Sequence, residues 1–112
     1  MSTESIFNAA RQILSENDAL SDPGNCRYAT IMLIRYLSKQ FPDATFFALV
    51  NDKPRPGLGI HYAPGFTENT NGGINIINST KTPLFPEYIG LIDNAPSSTF
   101  QAMLMIGVDE IV

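Results

Sequence analysis

The chain reads as an α+β protein. Two segments with helical spacing come first, strand-like segments follow, and no linker, repeat or low-complexity stretch divides its 112 residues into domains. The expected architecture is one domain, residues 1–112, in which a central cysteine-bearing helix packs on an antiparallel sheet.

The first helix is expected from about residue 3 to 17. Ile6, Phe7, Ala10, Ile13 and Leu14 fall on one face, Ser2 or Thr3 can cap it, and Glu4 favours the positive end of its dipole. Asp18–Gly24 breaks the pattern, and Asp22-Pro23-Gly24 is a strong turn signal. Asn25 then reads as the N-cap of a second helix running to about Gln40 and ending at Phe41-Pro42. Ala29, Ile31, Met32, Leu33, Ile34, Tyr36 and Leu37 leave it only the narrow polar stripe Arg27, Arg35, Ser38 and Lys39, which predicts a helix covered on most sides.

Strand signals take over after that. Thr45–Val50 is aromatic, aliphatic and β-branched, as in a buried strand, and Asn51–Gly57 with its two prolines reads as a loop. Leu58–Phe66 and Gly73–Thr80 read as a strand pair joined by the polar loop Thr67–Gly72. Prolines interrupt Thr82–Pro86, Pro96-Ser97-Ser98 makes another break, and Phe100–Val108 reads as the last strand.

Composition narrows the function. With 44% hydrophobic and 16% charged residues the chain is not disordered. A net charge of −4, and seven Lys and Arg residues whose tightest pair is Lys53 and Arg55, argue against nucleic acid as a partner. No apolar run is long enough to span a membrane. Met1–Ser5 starts no signal peptide, so the expected place is the cytoplasm, or outside it by export without a cleaved signal. One cysteine forms no internal disulfide, and without a Cys pair, a His pair or a His-Glu cluster no metal is expected. Gly57-Leu58-Gly59 lacks the third glycine and the helix of a dinucleotide loop, and no cofactor is expected.

What remains is an order of three residues. Cys26, the only cysteine, opens the second helix; His61, the only histidine, stands in a strand; Asn78 stands in the next strand. A thiol reacts as thiolate, and both a helix N-terminus and an imidazolium favour that charge. His61 would take the thiol proton and later protonate the leaving group, Asn78 would fix the ring, and the Cys26 N–H would hold half of an oxyanion. Asn25 and Asn17 are candidates for the other half, and Asp93 is an alternative orienter of the ring. If Thr67–Gly72 is the loop, paired positions sum to 139 and His61 faces Asn78, with Gly59, Ala63 and Gly65 on the same face leaving room beside the ring. If Asn71-Gly72 is a two-residue turn, the sum is 143 and His61 faces Thr82.

Gly24-Asn25-Cys26-Arg27-Tyr28-Ala29, Gly59-Ile60-His61-Tyr62 and Ile76-Ile77-Asn78-Ser79-Thr80 together resemble the core of the papain-like and transglutaminase-like cysteine hydrolases. The resemblance implies cleavage or rearrangement of an amide through a thioester, with a protein or peptide substrate, in the manner of small bacterial effector peptidases and glutamine deamidases. The third position is Asn where transglutaminases commonly have Asp, and the chain is short for a full papain-like enzyme. The competing expectation is a non-catalytic module, a small regulator or inhibitor, in which Cys26 and His61 pack and Leu84–Ile89 meets a partner.

Overall fold

The computed structural model describes residues 3–51, 60–68, 71–82 and 85–112. Two helices and a five-stranded antiparallel sheet make an α+β domain. Helix α1 spans Thr3–Glu16 and α2 spans Cys26–Gln40, joined by short 3₁₀ turns at Asp18–Ser21 and Pro23–Asn25. Strands β1 (Thr45–Asn51), β2 (His61–Glu68), β3 (Asn71–Asn78), β4 (Tyr88–Leu91) and β5 (Leu104–Ile106) lie in the order β4-β3-β2-β1-β5. Among the described residues no helix is long and apolar enough to cross a membrane.

Alternation along the central strands builds two cores, one on each face of the sheet. On one face Phe66 and Ile77 meet Ile6, Phe7 and Ala10 of α1 and Leu33 and Leu37 of α2. Ala48 meets Ile31 and Ile34 on that same side. On the other face Phe47, Leu49, Ala63 and Ile76 are covered by Phe85 and Phe100, from the irregular chain that follows β3. β1 is buried on both faces, as its unbroken apolar run predicts. Helix α2 is less enclosed than its composition implies. It buries Ala29, Thr30, Ile31, Leu33, Ile34 and Leu37 against the sheet and α1, and leaves Tyr28 and Tyr36 about half exposed, at 53% and 46%. Tyrosine tolerates that position because its ring and hydroxyl suit an interface with water.

The hairpin β2–β3 follows neither expected register throughout. Glu68 pairs with Asn71, so only two residues stand between the strands and the pair sums to 139. By Phe66↔Asn75 and Gly65↔Ile76 the sum has become 141. Three residues of β3, 72–74, oppose the single Thr67, a bulge with two extra residues that include Gly72 and Gly73. An even insertion leaves each side chain on its original face, whereas an odd one would have turned β3 over. Asn78 therefore keeps the face of His61 and becomes its diagonal rather than its direct neighbour.

Two other expectations change. Residues 100–108 form no continuous strand: Ser98–Ala102 is a 3₁₀ turn that sinks Phe100 into the core, and only Leu104–Ile106 pairs with β1. Tyr88–Leu91, between prolines and a turn, pairs with β3 as an edge strand that sequence alone does not announce. The loop expected over Asn51–Gly57 lies outside the described residues except for Asn51, which ends β1. Gly59 and Leu84 also lie outside the described residues.

The room expected at Gly65 is filled. A Cβ there would lie 2.7 Å from Phe47 Cε1 and 2.8 Å from Leu49 Cδ1. Gly65→Ala is expected to cost about 1–3 kcal/mol through overpacking, read as a lowered denaturant midpoint with an unchanged slope.

Candidate functional site

The start of α2 is a built turn. Asp22 accepts from the Gly24 N–H at 3.0 Å, Pro23 sits in the first position of the 3₁₀ turn, and Cys26 is the first residue of the helix. Thr30 Oγ1 donates to the Cys26 carbonyl at 2.7 Å, one helical turn on. Asn25 does not cap the helix through its side chain. Its amide donates to the Ala19 carbonyl at 3.0 Å, and the Asn17 amide donates to Ile13 at 2.8 Å. Both proposed oxyanion donors thus tie the chain's own turns together.

Cys26 is partly buried, and its thiol donates to the carbonyl of Ile60 at 3.7 Å. Ile60 is the residue before His61, so helix start and strand start meet at this point. His61 opens β2 across from Asn51 of β1 and is 4% exposed. Its ring lies on Phe85, centroids 4.5 Å apart and planes inclined by 13°. Its side chain shares the sheet face of Ala63, away from the helices and toward Phe85 and Phe100.

Asn78, fully buried at the end of β3, lies 2.8 Å from His61 Nε2 through Oδ1. The structure therefore brings His61 and Asn78 together, and places the Cys26 thiol beside the residue next to His61. The thiol's hydrogen bond goes to the backbone and not to the ring. His61 Nδ1 is buried and has no hydrogen-bond partner among the described residues. Asp93, the alternative orienter, is exposed in the turn Ile92–Asn94, while Ser79 donates to the Leu20 carbonyl at 2.8 Å and anchors β3 to the turn before α2.

Burial holds His61 below its ordinary value of 6.5, and the bond to Asn78 offsets part of that shift. In the unfolded chain the ring takes a proton near its ordinary value, whereas the folded site resists it. His61 therefore contributes stability that is complete above about 6.5 and is lost as pH falls toward the lower folded value. The denaturant midpoint of the wild type is expected to fall on acidification through this window, and His61→Gln should remove that part of the slope.

Phe85 is the residue that sequence reasoning missed. It lay in a segment read as a proline-punctuated break and, on the non-catalytic expectation, as part of a partner contact over Leu84–Ile89, whereas Phe85 is buried in the core, and its one available signal was an aromatic between two prolines. Two surface cavities of about 340 and 350 Å³ lie elsewhere, one lined by Arg11, Ser15, Ser79 and Glu87 and the other by Ile13, Asn17, Tyr36 and Gln40. Among the described residues no three His, Cys, Asp or Glu side chains gather as a metal site. No protein-family model, curated protein or solved structure matches the chain.

Proposed function

We propose that the domain carries out thiol-dependent amide chemistry on a protein or peptide substrate, as a papain-like or transglutaminase-like peptidase or glutamine deamidase. Cys26 is the nucleophile, His61 the base and Asn78 the orienter. The observation that carries this reading is the imidazole itself. One nitrogen is held by the Asn78 carboxamide at 2.8 Å, the other has no hydrogen-bond partner among the described residues, and the thiol lies against the adjoining Ile60 carbonyl.

Substrate binding turns the thiol from that carbonyl to Nδ1, a tightening that free enzymes of this kind commonly await. Nδ1 takes the proton, the thiolate adds to the amide carbon, and the oxyanion meets the Cys26 N–H at the helix start. The imidazolium then protonates the leaving nitrogen, an amine in peptide cleavage or ammonia in deamidation, leaving a thioester. Water activated by the same ring hydrolyses it and restores the thiol.

A second reading is a non-catalytic binding module. It is favoured by the depth of His61 and by its place on the face turned from the helices. Alkylation separates the two. On the catalytic reading Cys26 reacts with iodoacetamide at neutral pH faster than a free thiol does, and His61→Ala removes the excess. Equal rates for wild type, His61→Ala and free cysteine would defeat it. Mass spectrometry of a substrate panel then distinguishes fragments from the gain of about one mass unit that marks deamidation.

A further inference from the structure

The turn that follows β3 does more than cover the sheet. Asn78 Nδ2 donates to two backbone carbonyls, Pro86 at 2.7 Å and Phe85 at 3.3 Å. Turning the carboxamide over would set Oδ1 against those two oxygens and leave a buried repulsion with no donor. The carboxamide is thus fixed with Oδ1 toward His61, and an oxygen there accepts a proton that the ring must carry on Nε2. Phe85 is itself pinned. Its N–H donates to Thr82 Oγ1 at 3.1 Å, its carbonyl accepts from the Thr82 N–H at 3.0 Å, and its ring covers the imidazole.

We infer that the Phe85-Pro86 turn, held by Thr82, positions His61 and sets its tautomer, its two carbonyls fixing the Asn78 carboxamide and the Phe85 ring covering the imidazole, so that the proton sits on Nε2 and Nδ1 is left as the basic nitrogen. This inference deepens the catalytic reading above, because Nδ1 is the atom that the thiol would have to use. Phe85 acts twice, through its carbonyl on Asn78 and through its ring on His61. Among the described residues the groups bonded to or stacked on the ring are neutral: Asn78 from β3 and Phe85 from the following turn. Asn51 stands across from it on β1, Phe100 backs Phe85 edge-on at 5.3 Å, and Cys26 at the start of α2 is the titratable group bonded to the neighbouring residue. The arrangement keeps a ring that burial already holds neutral in one of its two neutral forms.

His61 is the chain's only histidine, so nitrogen NMR of the uniformly labelled protein reads a single imidazole. In the wild type the proton is expected on Nε2, with Nδ1 in the unprotonated range. Phe85→Leu keeps the carbonyl and loses the ring: the tautomer should persist, while the titration midpoint rises toward the ordinary value as water reaches the imidazole. Thr82→Val loosens the turn and should mix the tautomers. Phe85→Tyr keeps the stack and should restore the wild-type spectrum. Thr82→Val and Phe85→Tyr keep the test open if Phe85→Leu does not fold. A wild-type proton on Nδ1, or a Thr82→Val spectrum identical to wild type, would overturn the inference whether or not the domain is an enzyme. Conversely, an Nε2 proton in a wild type that turns over no amide substrate leaves the inference standing and defeats the catalytic reading.

Discussion

Cys26→Ala is expected to abolish amide turnover while leaving the domain folded, and His61→Ala to lower turnover by about 10²–10⁴-fold at a real cost in stability. The two sites differ in burial. Cys26 is partly exposed, and the hydrogen bond of its thiol to Ile60 is long, so losing the sulfur should change stability by less than about 1 kcal/mol. His61 is 4% exposed and partners the fully buried Asn78. Removing the ring leaves the Asn78 oxygen without a donor and a void beside Phe85, a loss of about 1–3 kcal/mol from the unsatisfied oxygen alone. Activity must therefore be compared at a temperature where chemical denaturation shows both variants folded. A Cys26→Ala protein as active as wild type would end the catalytic reading. A His61→Ala protein that is fully folded yet unchanged in activity would leave the thiol working without this base.

The pairing of His61 with Asn78 was legible because strand alternation is a strict period of two. Any hairpin whose net offset is even keeps both residues on one face, and the bulge at residues 72–74 happens to be even. The start of α2 at Cys26 was legible for a different reason: Asp22-Pro23-Gly24 leaves the chain few ways to continue except into a helix. Alternation does not say which face of the sheet α2 will cover. That choice depends on how the apolar sets compete. Phe66 and Ile77 win the helices, while Ala63, Ile76 and His61 are left to Phe85 and Phe100. Phe85 itself was illegible because its role comes from a backbone carbonyl and a ring stack, and neither leaves a periodic trace. The short strand β4 escaped for lack of length, since four residues beside prolines carry too little pattern to register.

Phe66→Ala is expected to destabilise the domain by about 3–5 kcal/mol, more than truncation at Cys26 or His61. Phe66 is fully buried on β2, five residues from His61, and it is where the two helices and the sheet meet. Its ring meets Phe7 of α1 edge-on at 5.4 Å and Phe46 of β1 at 5.5 Å, and it packs in one cluster with Leu33 and Leu37 of α2. The ring is gripped from α1, α2 and β1, whose spacing the sheet and helices fix, so the surroundings should close the space only in part. Domains of this size are stable by about 5–15 kcal/mol, so the variant should sit close to its unfolding transition at physiological temperature. The truncation lies on the helix side of the sheet, and the His61–Asn78 pair lies on the other. Below its melting point the variant should therefore keep the wild-type imidazole spectrum while its denaturant midpoint falls steeply. A midpoint within about 1 kcal/mol of wild type would mean that the helices do not depend on this ring, which is incompatible with the packing around it.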